Sequence, residues 1–155
     1  MAVVTADLYD ELGDAVQSLS LPLVSFGASA SFDGPIRTVR CFEDNALLKS
    51  VLSADGAGQV LVVDGGGSLE RALVGDVIAQ LAIDNGWVGI VINGVVRDRV
   101  ALGAMAMGVK ALGSNPSKGT RTGEGELDIS VSFGGVDFRP GAHLYSDEDG
   151  ILVER

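Results

Sequence analysis

Apolar residues recur along this chain with two different periods, and the switch between them predicts the order of elements. Leu8, Leu12, Val16 and Leu19 fall at three-to-four spacing, which predicts a first helix over Asp7–Leu19. Ser25–Asp33 is small and rich in Gly, Ala and Ser. Ile36–Phe42 reads as a strand, and Asn45–Leu52, apolar at Ala46, Leu47, Leu48, Val51 and Leu52, as a second helical stretch. In the middle, Gln59–Val63 is a continuous β-branched run that empties into Asp64-Gly65-Gly66-Gly67, the pattern of a buried strand entering a loop. Asp76–Asp84 carries Val77, Ile78, Leu81 and Ala82 on one side and stops at Asn85-Gly86, as a helix does. Val88–Ile92 is the next buried strand, followed by Asn93-Gly94 and Val95-Val96-Arg97-Asp98. Strand, helix and strand in this order make a βαβ unit, whose ligand is expected at the carboxyl ends, where the Gly65 and Gly94 loops meet.

Beyond Gly103 the runs shorten. Gly108–Leu112, Leu127–Phe133, Val136–Phe138, His143–Tyr145 and Ile151–Val153 all read as strands, with a hairpin signal at Gly134-Gly135 and a turn at Glu148-Asp149-Gly150. The expectation is an α/β fold with a central βαβ unit and a β-rich carboxyl-terminal half, in a single domain over residues 1–155.

Composition narrows the function classes. With 46% hydrophobic and 21% charged residues the chain has material for a core and is not globally disordered. A mean hydropathy of +0.32 points to apolar surface between subunits, hence an oligomer. The net charge of −10 opposes direct nucleic-acid binding, which needs cations to displace phosphate counterions. A basic protein partner is compatible with it, and so is a simple gain in solubility. One cysteine, Cys41, allows no intrachain disulfide. No signal peptide or membrane-length apolar run is visible, so a cytoplasmic protein is expected.

Several motifs are excluded. Gly65 and Gly67 begin a G-x-G, but Glu70 stands where the dinucleotide fingerprint needs its third glycine, and no phosphate loop of the G-x-x-x-x-G-K-[ST] kind occurs. His143 is the only histidine, so paired-histidine zinc sites are impossible and a structural role in a strand is expected. Asp147-Glu148-Asp149-Gly150 lacks the other ligands of a calcium loop and reads as a solvated turn. Lys49, Lys110 and Lys118 are the only lysines, and none has an obvious apolar pocket, which argues against Schiff-base chemistry.

Arg97-Asp98 differs, since adjacent opposite charges after a buried strand and a Gly turn gain little as a structural ion pair. Asp76 opens a helix, where free N–H groups and the positive dipole end receive anions. The bland alternatives are charges ending a strand and a common helix-start acid. If the βαβ geometry brings the three together, backbone amides and Arg97 suit the carboxylate of an α-keto acid, and Asp98 suits a hard divalent cation.

Gly65-Gly66-Gly67-Ser68, Ala72-Leu73-Val74-Gly75-Asp76 and Asn93-Gly94-Val95-Val96-Arg97-Asp98 resemble the RraA-like family in order and spacing, as do Asp44-Asn45-Ala46-Leu47 and Gly134-Gly135-Val136. That family contains regulators of ribonuclease E activity and metal-dependent 4-hydroxy-4-methyl-2-oxoglutarate aldolases. An Asp, twenty residues and then Arg-Asp, as at Asp76, Arg97 and Asp98, resembles its aldolase-competent members. The resemblance implies a swivelling β/β/α fold and a homotrimer with sites near subunit interfaces. It implies substrate contacts from Gly75, Asp76, Val77, Ile78 and Arg97, and Mg²⁺ or Mn²⁺ at Asp98, held mostly through waters. Asp76 and Arg97 would be the catalytic pair. Ala142 stands where many relatives carry Asp after the glycine, which removes that loop carboxylate here. The expected activity is aldol cleavage or oxaloacetate decarboxylation that releases pyruvate through an enolate. The rival is a non-catalytic regulator that binds a ribonuclease E-type partner through its acidic surface. The menaquinone methyltransferase label once attached to this family finds no glycine-rich methyl-donor motif here.

Overall fold

The computed structural model describes residues 2–155. In chain order, helix α1 (Thr5–Leu12) leads through a 3₁₀ turn to strands β1 (Val16–Ser18), β2 (Val24–Ser25) and β3 (Phe32–Arg40). Then come α2 (Ala46–Leu52), β4 (Val60–Asp64), β5 (Ala72–Val74), α3 (Asp76–Asp84), β6 (Gly89–Asn93), β7 (Val95–Val96) and α4 (Arg99–Gly103). The last third is β8 (Gly108–Ala111), β9 (Gly113–Ser114), β10 (Glu126–Leu127), β11 (Val131–Phe133), β12 (Val136–Phe138), β13 (His143–Ser146) and β14 (Ile151–Glu154).

The β-branched runs become neighbouring parallel strands. β3, β4, β6 and β8 lie side by side, with Val62 opposite Thr38 on one side and Val91 on the other. Antiparallel β13, β14 and β1 extend the sheet beyond β3, and β2 closes the other edge against β8. Alternation splits the core between the two faces. Val39, Leu61, Val63, Ile90 and Ile92 pack under α2, α3 and α4, while Ile36, Val60, Val62 and Val91 pack with the β11–β12 hairpin, Leu144 and Val153. Each fully buried valine contributes roughly 2 kcal/mol of transfer free energy, so the continuous run holds layers on both sides. The result is helices, sheet and a β layer, the α/β architecture with a central βαβ unit and a β-rich carboxyl-terminal half.

A second, smaller sheet has no counterpart in the sequence reading. β5, β7 and β9 are parallel and continue, one for one, from β4, β6 and β8. The glycine loops make the step. The amides of Gly65 and Gly67 both donate to the carbonyl of Asn93, and the Leu112 amide donates to Gly94.

Three elements differ from expectation by more than one residue. The helix over Asp7–Leu19 ends at Leu12, because Gly13 takes φ +52 and donates its amide to the Tyr9 carbonyl. Val16 and Gln17 are instead buried in a strand paired with β14. The Ile36–Phe42 strand starts earlier, at Phe32, and stops at Arg40, leaving Phe42 64% exposed. Leu127–Phe133 is two strands, since Asp128 sits at φ +55, where its carboxylate meets Arg37 through two hydrogen bonds of 3.0 and 2.9 Å.

Candidate functional site

The ends of β5 and β7 set the site. Gly75 follows β5 and is the N-cap of α3, yet it offers no side chain to the helix's free amides. Asp98 supplies the missing acceptor from 22 residues away: its Oδ2 takes the Asp76 amide at 3.1 Å. Asp98 can reach because its backbone is left-handed, φ +62 and ψ +46, a conformation that Asp tolerates better than most residues. The strain lies at the turn from β7 into α4, where the Asp98 carbonyl accepts the Leu102 amide at 2.9 Å and buried Leu102 anchors the helix.

Arg97 is fixed on both sides of its backbone bend. Its amide donates to Val74 of β5 at 3.0 Å, and its Nη1 donates to the Pro116 carbonyl at 3.4 Å. Its Nε stands 4.0 Å from Asp98 Oδ2, with the two side chains 40% and 37% exposed. Guanidinium, carboxylate and helix amide therefore share one point. The α3 amides of Val77 and Ile78 have no helical acceptor and face the same region.

Two hollows meet there. A cleft of about 790 Å³ is lined by Asp76, Arg97 and Asp98 together with Arg99, Ser114 and Asn115. A pocket of about 130 Å³ is lined by Gly75, Asp76, Val77 and Ile78, again with Arg97 and Asp98, and by Lys49, Lys118 and Arg121. The structure thus brings together all six residues singled out from the sequence: Gly75, Asp76, Val77, Ile78, Arg97 and Asp98. The expected meeting of the Gly65 and Gly94 loops also occurs, but it lies beneath the site. The hollows are lined by residues at the ends of β5, β7 and β9, one storey further along the strands.

Sequence reasoning missed four site neighbours. Arg99 lies over the Phe26 ring, with its guanidinium carbon 5.0 Å from the ring centre. Lys49, Lys118 and Arg121 reach the smaller pocket from α2 and from the loop after β9. The sequence reading treats Lys49 and Lys118 only as Schiff-base candidates. The clue available was their scarcity, as two of three lysines in a strongly acidic chain. Lys110, by contrast, is buried and donates its ammonium to the carbonyls of Asp147 and Gly150, far from these hollows. His143 pairs with Asp33 at 2.7 Å and is not among the residues lining either hollow, which fits a structural placement.

Buried Asp44 anchors the cationic loop. Burial alone would raise its pKa. The Thr122 amide, the Thr120 and Thr122 hydroxyls and the Gly123 amide outweigh that, and hold it well below the usual carboxylate range. Those hydrogen bonds run from 2.5 to 3.1 Å.

Among the described residues no three His, Cys, Asp or Glu side chains cluster as a ready metal cage, and no helix is long and apolar enough to cross a membrane. A protein from Geobacillus kaustophilus HTA426 described as S-adenosylmethionine:2-dimethylmenaquinone methyltransferase is 45% identical to this chain. The match covers 98% of this chain and 94% of that one, with a TM-score of 0.96. The RNA-processing inhibitor RraA from Thermus thermophilus is also 45% identical, over 99% of this chain and 93% of its own, with a TM-score of 0.95. Streptomyces coelicolor RraAS2, described as an unusual member of the RNase ES inhibitor RraA family, is 26% identical over 97% and 78%, with a TM-score of 0.79. The sequence itself matches the RraA-like family, described as Aldolase/RraA, over residues 5–153, and the chain belongs to that family.

Proposed function

We propose that this protein is a divalent-metal-dependent carbon–carbon lyase. Its substrate would be a small keto-acid, cleaved as 4-hydroxy-4-methyl-2-oxoglutarate or decarboxylated as oxaloacetate, with pyruvate released. The observation that carries this reading is the convergence of the Asp76 amide, the Arg97 guanidinium and the Asp98 carboxylate within 4.0 Å, at the junction of two hollows.

The residues present fit Mg²⁺ or Mn²⁺ in a limited way. Asp98 offers a hard oxygen ligand on the cleft wall, and its Oδ1 has no hydrogen-bond partner among the described residues. Mg²⁺ characteristically binds through one or two carboxylates and keeps several waters, so a complete protein cage is not required. When bound, the cation supplies Lewis-acid neutralisation of charge growing on the substrate's 2-oxo oxygen. Arg97 and the free amides at the start of α3 bind and orient the keto-acid carboxylate. Cleavage, as the 4-hydroxyl gives up its proton or as CO2 departs, leaves a pyruvate enolate whose charge Arg97 stabilises as it forms. A water positioned by Asp76 would accept the hydroxyl proton and protonate the enolate carbon. In this reading the chain works in the cytoplasm as a homotrimer. The exposed side chains of Val77 (70%) and Val100 (92%) beside the hollows are surface that a neighbouring subunit would cover.

The test is pyruvate release with Mg²⁺ or Mn²⁺, with chelator, and in Asp98→Ala. Loss of Asp98 should cost about 10²-fold or more in rate. Turnover that persists in chelator would remove the lyase reading.

A second reading has its own support, since two structural relatives are described as inhibitors of RNA processing or of RNase ES. In that case the acidic surface binds a basic segment of a ribonuclease E-type enzyme, without direct nucleic-acid contact. Binding would weaken steeply with salt and survive Arg97→Ala. The methyltransferase description of another relative finds no glycine-rich methyl-donor motif in this sequence.

A further inference from the structure

Asn115 lies just past β9, half-buried in the lining of the larger cleft, and both polar ends of its side chain are engaged by backbone. Its Nδ2 donates to the Leu69 carbonyl at 2.9 Å, and its Oδ1 accepts the Ser117 amide at 2.9 Å. A carbonyl at one end and an amide at the other admit one orientation of the group. The Asn115 amide donates to Val96 of β7 at 2.9 Å, so the residue is anchored to the strand that leads into Arg97.

The consequence lies at the other end of the Pro116–Ser117 peptide. The Ser117 amide held by Asn115 and the Pro116 carbonyl that accepts Arg97 Nη1 at 3.4 Å belong to one planar trans unit. They point in opposite directions, so fixing the amide aims the carbonyl. Pro116 has no amide and its ring holds φ, so a flip of this peptide is the motion by which the carbonyl would leave Arg97. Backbone bonds restrain the loop further on: the Ala72 amide donates to Ser117 at 2.7 Å, the Gly119 amide to Ala72 at 3.0 Å and the Thr120 amide to Glu43 at 2.8 Å. None of these holds the 116–117 peptide. The Asn115 side chain does.

Arg97 needs that restraint. Its side chain is 40% exposed, and its Nε faces Asp98 Oδ2 at 4.0 Å, a contact that alone leaves the guanidinium plane free to turn. The Pro116 carbonyl at Nη1 is the second point that sets the plane. We infer that Asn115 is a positioning residue for Arg97: by holding the Pro116 carbonyl in place, it keeps the guanidinium fork in the plane that meets a keto-acid carboxylate. The role of the fork rests on the lyase reading; its orientation does not.

The experiment compares three variants of the full chain. Asn115→Ala removes both side-chain bonds. Asn115→Asp keeps the acceptor for the Ser117 amide and loses the donor to Leu69. The third adds Asn115→Ala to Arg97→Lys, where no planar fork remains to orient. For pyruvate release, kcat/KM should fall about tenfold in Asn115→Ala and recover to within about threefold of wild type in Asn115→Asp. Adding Asn115→Ala to Arg97→Lys should cost less than about twofold. Equal losses in the Ala and Asp variants, or an equal cost of Asn115→Ala in both backgrounds, overturn the proposal. NMR of arginine-labelled protein reads the restraint without turnover, with the Arg97 signals identified by their loss in Arg97→Lys. Rotation of the Arg97 guanidinium should be about tenfold faster in Asn115→Ala than in wild type or Asn115→Asp, and equal rates overturn the proposal. If the wild-type protein releases no pyruvate, the lyase reading fails on its own, and the rotation rates decide whether Asn115 orients Arg97.

Discussion

Replacing Gly75 by alanine separates the geometry of the site from the stability of the fold. Gly75 has φ −130 and ψ −164, an extended conformation open to any residue, so alanine adds no backbone strain. The added Cβ would lie 2.5 Å from Asp98 Oδ2, 3.3 Å from Arg97 Cγ and 3.6 Å from Arg97 Nε. Ordinary contact begins at 3.4 Å, so the Asp98 carboxylate must move by 3.4 − 2.5 = 0.9 Å. Asp98 is on the surface and its oxygen is the end of a side chain that can turn, so the displacement is cheap. The folded state loses one exposed cap bond to the Asp76 amide, worth about 1 kcal/mol. Activity pays far more, because a misplacement near 1 Å costs on the order of 10²-fold in a reaction that depends on alignment.

Pyruvate release would be followed alongside urea denaturation. The expected pair of results is a loss of about two orders of magnitude in kcat/KM with a stability change near 1 kcal/mol. Full activity in Gly75→Ala would show that the Asp98 position is immaterial to the chemistry. Collapse of the fold would show that the contact at Gly75 is structural.

Three further outcomes follow from the same structure. Arg97→Lys keeps the charge but loses the planar fork, so kcat/KM should fall about tenfold or more with little change in Tm, as steady-state kinetics and thermal melts would show. Asp44→Asn should cost about 2 kcal/mol in urea titrations by removing charge-assisted hydrogen bonds. Because the folded Asp44 carboxyl titrates well below its unfolded value, its contribution is complete above about pH 4 and is lost as pH falls further, so the variant's acid limb should be flatter. Burial, with the charges of Asp44 and Asp64 adding to it, pushes the Cys41 thiol up to about 12. A thiol reagent at pH 8 should therefore label native protein roughly a thousandfold more slowly than unfolded protein, and comparable rates would contradict the burial.

What could be read from the sequence was whatever depended on local pattern. The β4 and β6 runs and α3 have apolar periods long enough to leave one reading. Arg97-Asp98 after its Gly94 turn and the helix start at Asp76 also stand out in the sequence, each beside a bland alternative. What escaped depends on contacts distant along the chain. Val16 shares a helical period with Leu8 and Leu12, but pairing with Glu154 of β14 decides its state. Asp128 looks like one residue of a strand until Arg37 draws it aside. β5, β7 and β9 have two or three residues each, too short to carry a period, and exist only because three parallel strands step sideways together. Lys118 and Arg121 reach the site through a loop whose course is set by Asp44, Glu43 and Ala72, none of them a sequence neighbour.

The sideways step also explains why the candidate site stands where it does. In a single-storey sheet, the carboxyl ends of β4 and β6 would open directly at Gly65 and Gly94. Here those glycines are consumed by the turn, with the Asn93 carbonyl accepting from both Gly65 and Gly67, and the exit is carried up to β5 and β7. At that second level β5 is followed by Gly75, whose lack of a side chain leaves it unable to cap α3. Two residues beyond β7, Asp98 bends left-handed, so its carboxylate caps α3 instead. A short helix stabilised by its own N-cap would have left its amides satisfied and Asp98 pointing elsewhere. Dividing the cap between two strands keeps a carboxylate, a guanidinium and two free amides at one spot. The loop after β9, running beside β5, then adds its cations there.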